Sequence, residues 1–397
     1  MTPPNPEILT NLVSRVLRIE QTTWGRTKDD YLVFFQGQLA FPSHEAYDKL
    51  DEALQPHQVT PLFREQDGKH IVILKQGVFQ AKPTKIWVNI LLFVTTVISV
   101  IFAGILASYT GPVTGDLADI WAAIQPHEWG QAFAFTASLL GILLAHEFGH
   151  YLAARRHGTA VTLPYFIPFP LNPLGTMGAF INLQEPPRDK RVLLDIGLTG
   201  PLAGFIVAVP ITILGLWLSP VEILPNPLPA GFGFEGNSIL YLILKYLVHG
   251  QWLPHPASYA GLAPILYWVR YFFMGVPLPA GGIDVVVHPV AWAGWAGLLV
   301  TGLNLLPVGQ LDGGHLIYVL TGQKSKKLYP LILGLLLIMG LVWSGWWLWA
   351  FLILMFGRTH AEPLDQITEL DPKRKFMARL GLVIFILVFT PIPMIVI

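Results

Sequence analysis

Residues 86–109 read IWVNILLFVTTVISVIFAGILASY, an apolar run of 24 residues without a charged side chain. A helix of this length rises about 36 Å, and the hydrocarbon core of a bilayer is about 30 Å thick. The run is therefore long enough to cross a membrane. It excludes an ordinary soluble fold and predicts an integral membrane protein.

The composition of the 397-residue chain agrees with that prediction. Apolar residues make up 53% of the chain, and charged residues make up 13%, about half of their share in typical soluble proteins. The 25 Lys and Arg residues balance 25 Asp and Glu residues, so no basic field is present to attract nucleic acid. The chain has no cysteine, which excludes disulfides, thiolate zinc ligands and cysteine nucleophiles.

The charges are concentrated in residues 1–85, which hold ten basic and ten acidic side chains. We predict a small soluble α+β domain here. Residues 31–39 have the composition of a strand, a helix is predicted from Ser43 as its N-cap, and residues 63–74 are predicted to form a hairpin around Asp67-Gly68. The sequence of this domain holds no nucleotide-binding loop or metal-ligand cluster, so we expect a docking or regulatory role.

Residues 86–397 are predicted to be a membrane-embedded, polytopic α-helical domain with about six to eight spans. The predicted spans are long and apolar: 86–109, 131–155, 192–218, 289–306, two short spans within 329–356, and 377–397. Residues 220–288 are interrupted by many prolines and glycines, which favours interfacial or re-entrant segments. The number of crossings in that stretch is left open.

Basic residues in the predicted loops indicate the orientation of the chain. They lie between the second and third spans, after the fourth span and before the last span: Arg155, Arg156, Arg188, Lys190, Arg191, Lys324, Lys326, Lys327, Lys373, Arg374 and Lys375. On the opposite side, 110–130 and 220–288 carry only Lys245 and Arg270. Because basic loops stay in the cytosol, the N-terminal domain is predicted to be cytosolic. We expect a bacterial plasma membrane, with a thylakoid membrane as the alternative.

The second predicted span ends with the sequence HEFGH, residues 146–150. Residues four apart share one face of a helix, so His146 and His150 can both reach one zinc ion, and Glu147 can act as a general base on water. Ionisable side chains inside a membrane helix are costly and therefore indicate function. The alternative is a polar cluster that packs between helices. Two histidines are only two ligands, so the pattern requires a third.

The candidate third ligand lies in NLLPVGQLDGGH, residues 304–315. Asp312 is the only acidic residue in the sequence between Asp284 and Glu362, and it lies at the cytosolic end of the fourth predicted span. Two histidines and one aspartate leave one tetrahedral position open for water, as in catalytic zinc sites. His315 is the alternative ligand.

Together, the two motifs resemble the site-2 protease family of M50-type intramembrane zinc metalloproteases, over about residues 130–320. The resemblance implies one zinc ion per chain and a role for each of five residues: ligands His146, His150 and Asp312, general base Glu147, and Asn304 on the substrate carbonyl. It also implies that residues 175–183 form a membrane-associated strand that binds an unwound substrate by its edge. A buried apolar loop is the alternative there.

Many members of that family carry a PDZ domain, but residues 220–288 are too short and too interrupted for one. The chain is therefore most similar to the PDZ-less bacterial and chloroplast subgroup that resembles the plant EGY proteases. The resemblance implies a metalloendopeptidase that hydrolyses peptide bonds in or near transmembrane segments of protein substrates in the lipid bilayer. The alternatives are a non-catalytic zinc-binding chaperone or transporter, and a membrane zincin that cleaves soluble segments.

Two features of the third predicted span are given structural interpretations. Gly197, Gly200 and Gly204 are spaced for close helix packing. Asp195 is expected near the lipid headgroups, and a hydrogen bond to a zinc-ligating histidine is the alternative.

Overall fold

The structure, a computed structural model, describes residues 5–26, 30–79, 83–109, 124–357 and 362–397. Most of these residues are helical, and a small antiparallel sheet is formed near the start of the chain. Three of the described helices are long and apolar enough to cross a membrane. The architecture is therefore that of a helical membrane protein, as predicted.

The N-terminal unit packs two helices against a four-stranded antiparallel sheet of strand order β1-β2-β4-β3. Its elements in chain order are α1 (Pro6–Ser14), β1 (Leu17–Trp24), β2 (Val33–Leu39), α2 (Ser43–Leu54), β3 (Val59–Gln66) and β4 (Lys69–Gln76). The predicted strand, helix and hairpin are confirmed, whereas α1 and β1 had no prediction. At the hairpin, Asp67 and Gly68 both have positive φ, at 52° and 72°, as a two-residue type I′ turn requires.

A segment of residues 362–370, here called the tether, joins the N-terminal unit to the membrane domain. The N–H of Phe63 on β3 donates to the carbonyl of Leu364 at 2.9 Å, and the N–H of Gln366 donates to the carbonyl of Phe63 at 3.0 Å. The tether thus extends the sheet beyond β3. Its Asp365 N–H donates to the carbonyl of Arg188 at 2.7 Å, so the tether bonds to both parts of the molecule.

Ser43 is not the N-cap of α2, contrary to prediction. Pro42 occupies that position, and the Ser43 hydroxyl instead donates to the buried carboxylate of Asp365 at 2.8 Å. The Ser43 hydroxyl, which the local sequence predicts as a helix cap, is therefore used in a tertiary contact with Asp365.

The three long helices are α3 (Ile86–Ser108), α4 (Pro126–Arg156) and α5 (Lys190–Trp217). They match the first three predicted spans. Between α4 and α5, a hairpin of β5 (Tyr165–Pro168) and β6 (Thr176–Phe180) confirms the predicted strand within 175–183. Helix α5 packs against both α4 and the later helix α8 (Pro289–Asn304), so these three helices form the centre of the membrane domain.

The helices that follow α8 are shorter than the three long helices, and the described residues do not show six to eight full spans. They are α9 (Asp312–Thr321), α10 (Leu328–Met339), α11 (Gly345–Phe356) and α12 (Pro372–Val388). The two short spans predicted within 329–356 correspond to α10 and α11, which are separated by the turn around Trp343. Each of these two helices has 12 residues and rises only about 18 Å.

The last predicted span, 377–397, is wrong in its second half. Helix α12 ends at Val388, and Pro391 and Pro393 follow, which a helix interior does not tolerate. Residues Met394–Val396 form a strand, β10, paired with residues 233–235.

Residues 220–288 form a cap of short elements over one end of the membrane helices. They are β7 (Val221–Ile223), β8 (Gly233–Glu235), α6 (Ile239–His249), α7 (Pro264–Met274) and β9 (Ile283–Val285). Lys245 of α6 is fully buried, with its Nζ 2.7 Å from the Glu235 carboxylate and 3.4 Å from that of Asp284. Burial raises the pKa of the Asp284 carboxyl, and the charge of Lys245 opposes that rise.

Replacing Lys245 by methionine should therefore destabilise the cap by about 3–5 kcal/mol, the usual effect of removing one partner of a buried ion pair. Without Lys245, the Asp284 carboxylate should bind a proton more readily in the folded than in the unfolded state. The loss should then be smaller at about pH 5 than at about pH 8. Thermal unfolding in detergent measures both values. Lys69→Met, which removes an exposed pair with Glu20, is the control, and an equal loss for Lys245→Met at both pH values would contradict the argument.

Candidate metal centre

Helix α4 carries His146, Glu147 and His150 within about one turn of each other in the membrane domain, and all three side chains are buried. The i, i+4 spacing turns both imidazoles to one side of the helix. The Nε2 atoms of His146 and His150 lie 3.2 Å apart. The predicted pairing of the two histidines is therefore present in the structure.

Asp312 meets these histidines from the other side of the cavity. Its Oδ2 atom lies 3.5 Å from Nε2 of His146 and 3.3 Å from Nε2 of His150. Asp312 is the first residue of α9, not part of the fourth predicted span, because the chain breaks after α8. The break brings Asp312 back beside Asn304, the last residue of α8.

Glycines after Asp312 allow this reversal. A side chain at Gly313 would place its Cβ 1.9 Å from the carbonyl oxygen of Leu305, and one at Gly314 would lie 2.4 Å from that of Gly309. Gly309 itself has φ of +61°, a conformation that favours glycine. The first turn of α9 therefore packs directly on the backbone of the preceding turn, which positions the Asp312 carboxylate.

Two hydrogen-bonding contacts orient the histidine rings. Nδ1 of His150 lies 2.7 Å from the carbonyl oxygen of Ile196, so the ring donates there and its Nε2 lone pair faces Asp312. Nδ2 of Asn304 lies 3.2 Å from Nε2 of His146. For His150 this gives the usual arrangement of a metal-binding histidine, with a partner on the second ring nitrogen, whereas Asn304 contacts the same nitrogen of His146 that faces Asp312.

The three candidate ligand atoms fit a tetrahedral metal ion. With metal–ligand distances near 2.0–2.1 Å, neighbouring ligands of tetrahedral zinc lie about 3.3 Å apart, and the three distances here are 3.2, 3.3 and 3.5 Å. With Nδ1 of His150 donating to Ile196, its Nε2 and the Asp312 carboxylate would face each other as two acceptors. A cation between them removes that repulsion.

The candidate ligands line a cavity of about 220 Å³. Its wall includes Glu147, whose carboxyl faces the backbone of Ile181 just beyond β6, together with Asn304 and Phe180. His315, the alternative ligand, also lines the cavity but is not a member of the cluster of close ligand atoms. All five residues predicted for the site are thus brought together around one cavity.

Comparison with known proteins accounts for this arrangement. The model of peptidase family M50 matches residues 134–342, more than half of the chain, and this range contains both motifs. The chain belongs to peptidase family M50.

Relatives of this M50 chain occur in plants. It is 29% identical over 340 residues to "Probable zinc metalloprotease EGY1, chloroplastic" of Arabidopsis thaliana, covering 81% of this chain and 56% of the relative. The rice protein of that name (Oryza sativa subsp. japonica) is 30% identical over 339 residues, covering 81% and 53%. "Probable zinc metalloprotease EGY2, chloroplastic" of Arabidopsis thaliana is 30% identical over 261 residues, covering 65% and 41%.

The M50 chain thus spans about half the length of the curated relatives it matches. No solved structure matches it.

The glycines of α5 have a role in this M50 site that their spacing did not reveal. They pack closely, as predicted, but directly against the site histidines. A Cβ at Gly200 would lie 2.1 Å from Nε2 of His150, and one at Gly204 would lie 3.1 Å from Nδ1 of His146. Helix α5 therefore forms the floor of the cavity, and only a residue without a side chain fits at position 200.

Gly200→Ala should accordingly weaken metal binding about 10- to 100-fold, as when a group that orients a ligand is lost. Alanine favours a helix by about 1 kcal/mol over glycine. Any loss of metal affinity must therefore come from displacement of the His150 ring. Metal content after dialysis measures it. Gly141→Ala on α4, where a Cβ would meet nothing within 4 Å, is the matched control; unchanged metal content in Gly200→Ala would contradict the role.

Asp195 does not contact the site histidines. Its carboxylate accepts hydrogen bonds from Arg374 at 2.9 and 2.6 Å and pairs with Nε2 of His157 at 2.9 Å. It therefore joins α4, α5 and α12 near their ends. The sequence separation of 179 residues between Asp195 and Arg374 explains why no local pattern indicated this contact.

Proposed function

We propose that this chain is a zinc metalloendopeptidase that hydrolyses peptide bonds in or near transmembrane segments of other membrane proteins. The observation that carries the proposal is the set of three ligand atoms of His146, His150 and Asp312, with Glu147 in the same buried cavity. Membership of peptidase family M50 and the printed names of the plant relatives support it.

Zinc, when bound by His146, His150 and Asp312, supplies Lewis-acid activation of water and of the substrate carbonyl. Glu147 acts as the general base: its carboxylate accepts a proton as the water oxygen adds to the scissile carbonyl carbon. The same carboxyl then gives that proton to the amide nitrogen, and the C–N bond breaks. Asn304 holds the substrate carbonyl through its amide N–H group.

The substrate segment must be extended, because a helix hides its peptide bonds in backbone hydrogen bonds. Strand β6 supports this step. It pairs with β5 on one side, while its other edge pairs with no strand in the described chain. Ala179 and Phe180 of β6 line the cavity of the metal centre. An unwound substrate added to this edge satisfies its backbone groups and lies beside Glu147.

We also propose the arrangement of the chain in the membrane. Residues 1–85 form a cytosolic regulatory or docking domain, and residues 86–397 form the membrane domain. The short helices α8, α10, α11 and α12 complete six to eight crossings with α3, α4 and α5. Ion pairs support a common side for the basic loops and the N-terminal domain. Arg188 pairs with Asp48 of that domain, and Glu362 of the tether pairs with both Lys326 and Arg64. The membrane is a bacterial plasma membrane or a thylakoid membrane.

The proposal is tested with purified protein in liposomes that contain a reporter transmembrane helix. We expect one zinc ion per chain by metal analysis, cleavage within the reporter helix, loss of cleavage on chelation, and recovery with zinc. A soluble peptide of the same cleaved sequence is the control. Equal cleavage of that peptide would favour a zincin acting on soluble segments. Bound zinc without cleavage across a panel of reporter helices would favour a non-catalytic membrane protein.

A further inference from the structure

A groove of about 650 Å³ lies between α4 and α5, lined by residues other than the candidate metal ligands. Two exposed apolar side chains border it: Leu152 is 62% exposed and Ile206 is 67% exposed. On helices long enough to span a membrane, such surfaces face hydrocarbon. The groove therefore suits a lipid chain or another apolar group.

One face of α4 and one face of α5 line the groove along its length. The residues lie at spacings of three and four, which places them on one side of a helix: Gly149, Leu152, Ala153 and Arg156 on α4, and Asp195, Thr199, Leu202, Ala203 and Ile206 on α5. The helices approach closely at the floor of the groove, where the Thr199 hydroxyl donates to the carbonyl of Gly149 at 3.0 Å.

The length of the groove matches one leaflet of a bilayer. Eleven residues separate Asp195 from Ile206, and a helix rises about 16 Å over that distance. Half of the hydrocarbon core is about 15 Å. An acyl chain that starts beside Asp195 therefore ends near the bilayer midplane.

The polar end of the groove is basic. Arg156 is exposed at the end of α4 and makes no ion pair or hydrogen bond within the described parts of the chain. The carboxylate of Asp195 is already paired with Arg374 at 2.6 Å and lies 2.9 Å from Nε2 of His157. Arg156 is therefore a cation that the Asp195 carboxylate does not neutralise, at the depth where a phosphate group would lie.

We propose that this groove binds one anionic phospholipid, with an acyl chain between α4 and α5 and the phosphate at Arg156. A basic residue near the membrane surface attracts anionic lipid, and the apolar groove below it fixes one molecule in place. The proposal does not depend on proteolytic activity, since none of its residues belongs to the metal centre.

Native mass spectrometry of the full chain, released from nanodiscs of phosphatidylcholine and phosphatidylglycerol, tests the proposal. We expect one retained phosphatidylglycerol per chain. Arg156→Gln should lower the retained fraction about fivefold, the effect of one basic residue at a membrane surface. Arg155→Gln is the matched control, because the neighbouring arginine does not line the groove, and it should leave retention unchanged.

A second variant tests the apolar part without changing charge. Ala203→Phe should fill the groove and displace the lipid while Arg156 is intact. Equal loss in Arg155→Gln and Arg156→Gln would show unspecific surface attraction and overturn the proposal. Retention of phosphatidylcholine as strongly as phosphatidylglycerol would overturn it as well, as would a second protein chain in place of lipid.

Discussion

Glu147→Gln is expected to abolish cleavage of a transmembrane reporter while zinc remains bound. The amide is nearly isosteric with the carboxyl but accepts no proton, and general acid–base catalysis contributes about 100- to 10,000-fold. Because Glu147 is proposed to accept the proton and also to return it, the loss should lie near the upper end of that range. Rates of reporter cleavage in liposomes and zinc content per chain are measured on the same preparation.

Glu128→Gln gives a matched control on the same helix. Glu128 is a buried residue at the N-terminal end of α4, where its carboxylate accepts the N–H of Gln125, and an amide oxygen can keep that bond. This variant should retain activity. Undiminished cleavage in Glu147→Gln would sink the proposed mechanism, and loss of zinc in that variant would make Glu147 part of the metal centre itself.

Asp312→Ala is expected to lower zinc affinity by more than about 100-fold, because loss of groups that merely orient a ligand already costs about 10- to 100-fold. The variant leaves two imidazole ligands on one helix and removes the charge that faces them at 3.3 and 3.5 Å. Competition with a chelator of known affinity measures the loss, and cleavage should fall in parallel.

The alternative ligand provides the control for that experiment. His315 lines the same cavity, and His315→Ala should keep zinc if Asp312 is the third ligand. The reverse result, with zinc lost in His315→Ala and kept in Asp312→Ala, would replace the ligand assignment. Loss in both variants would indicate that α9 is displaced, which the unfolding temperature of each variant would reveal.

The local sequence was sufficient to predict those parts of the site whose geometry is set within a single helix or turn. The i, i+4 spacing of His146 and His150 fixes their common face, and Gly313-Gly314 indicates a close backbone approach. Their meeting with Asp312 was inferred from the predicted orientation of two spans. In the structure, Asp312 reaches the histidines for a different reason. The chain reverses after α8, and Asp312 is the first residue of a new helix.

Contacts between residues far apart in the sequence could not be predicted from local patterns. The contacts of the Ile196 carbonyl and of Gly200 with His150 could not be predicted. The glycine spacing of α5 is also typical of ordinary helix packing. The apolar runs at 329–356 and 377–397 were sound evidence for helices, but composition did not set their ends. Pro391 and Pro393 end α12, and the strand that follows pairs with β8 in the distant cap.

The tether has a consequence for the order in which the molecule is made. Ser43 and its partner Asp365 are 322 residues apart, so at about 5–20 residues per second the N-terminal sheet is synthesised roughly 15 to 60 s before the segment that completes its edge. Asp312 emerges before the tether does. Closure of the sheet edge by residues 364–366 therefore takes place only on a chain whose metal ligands have all been translated.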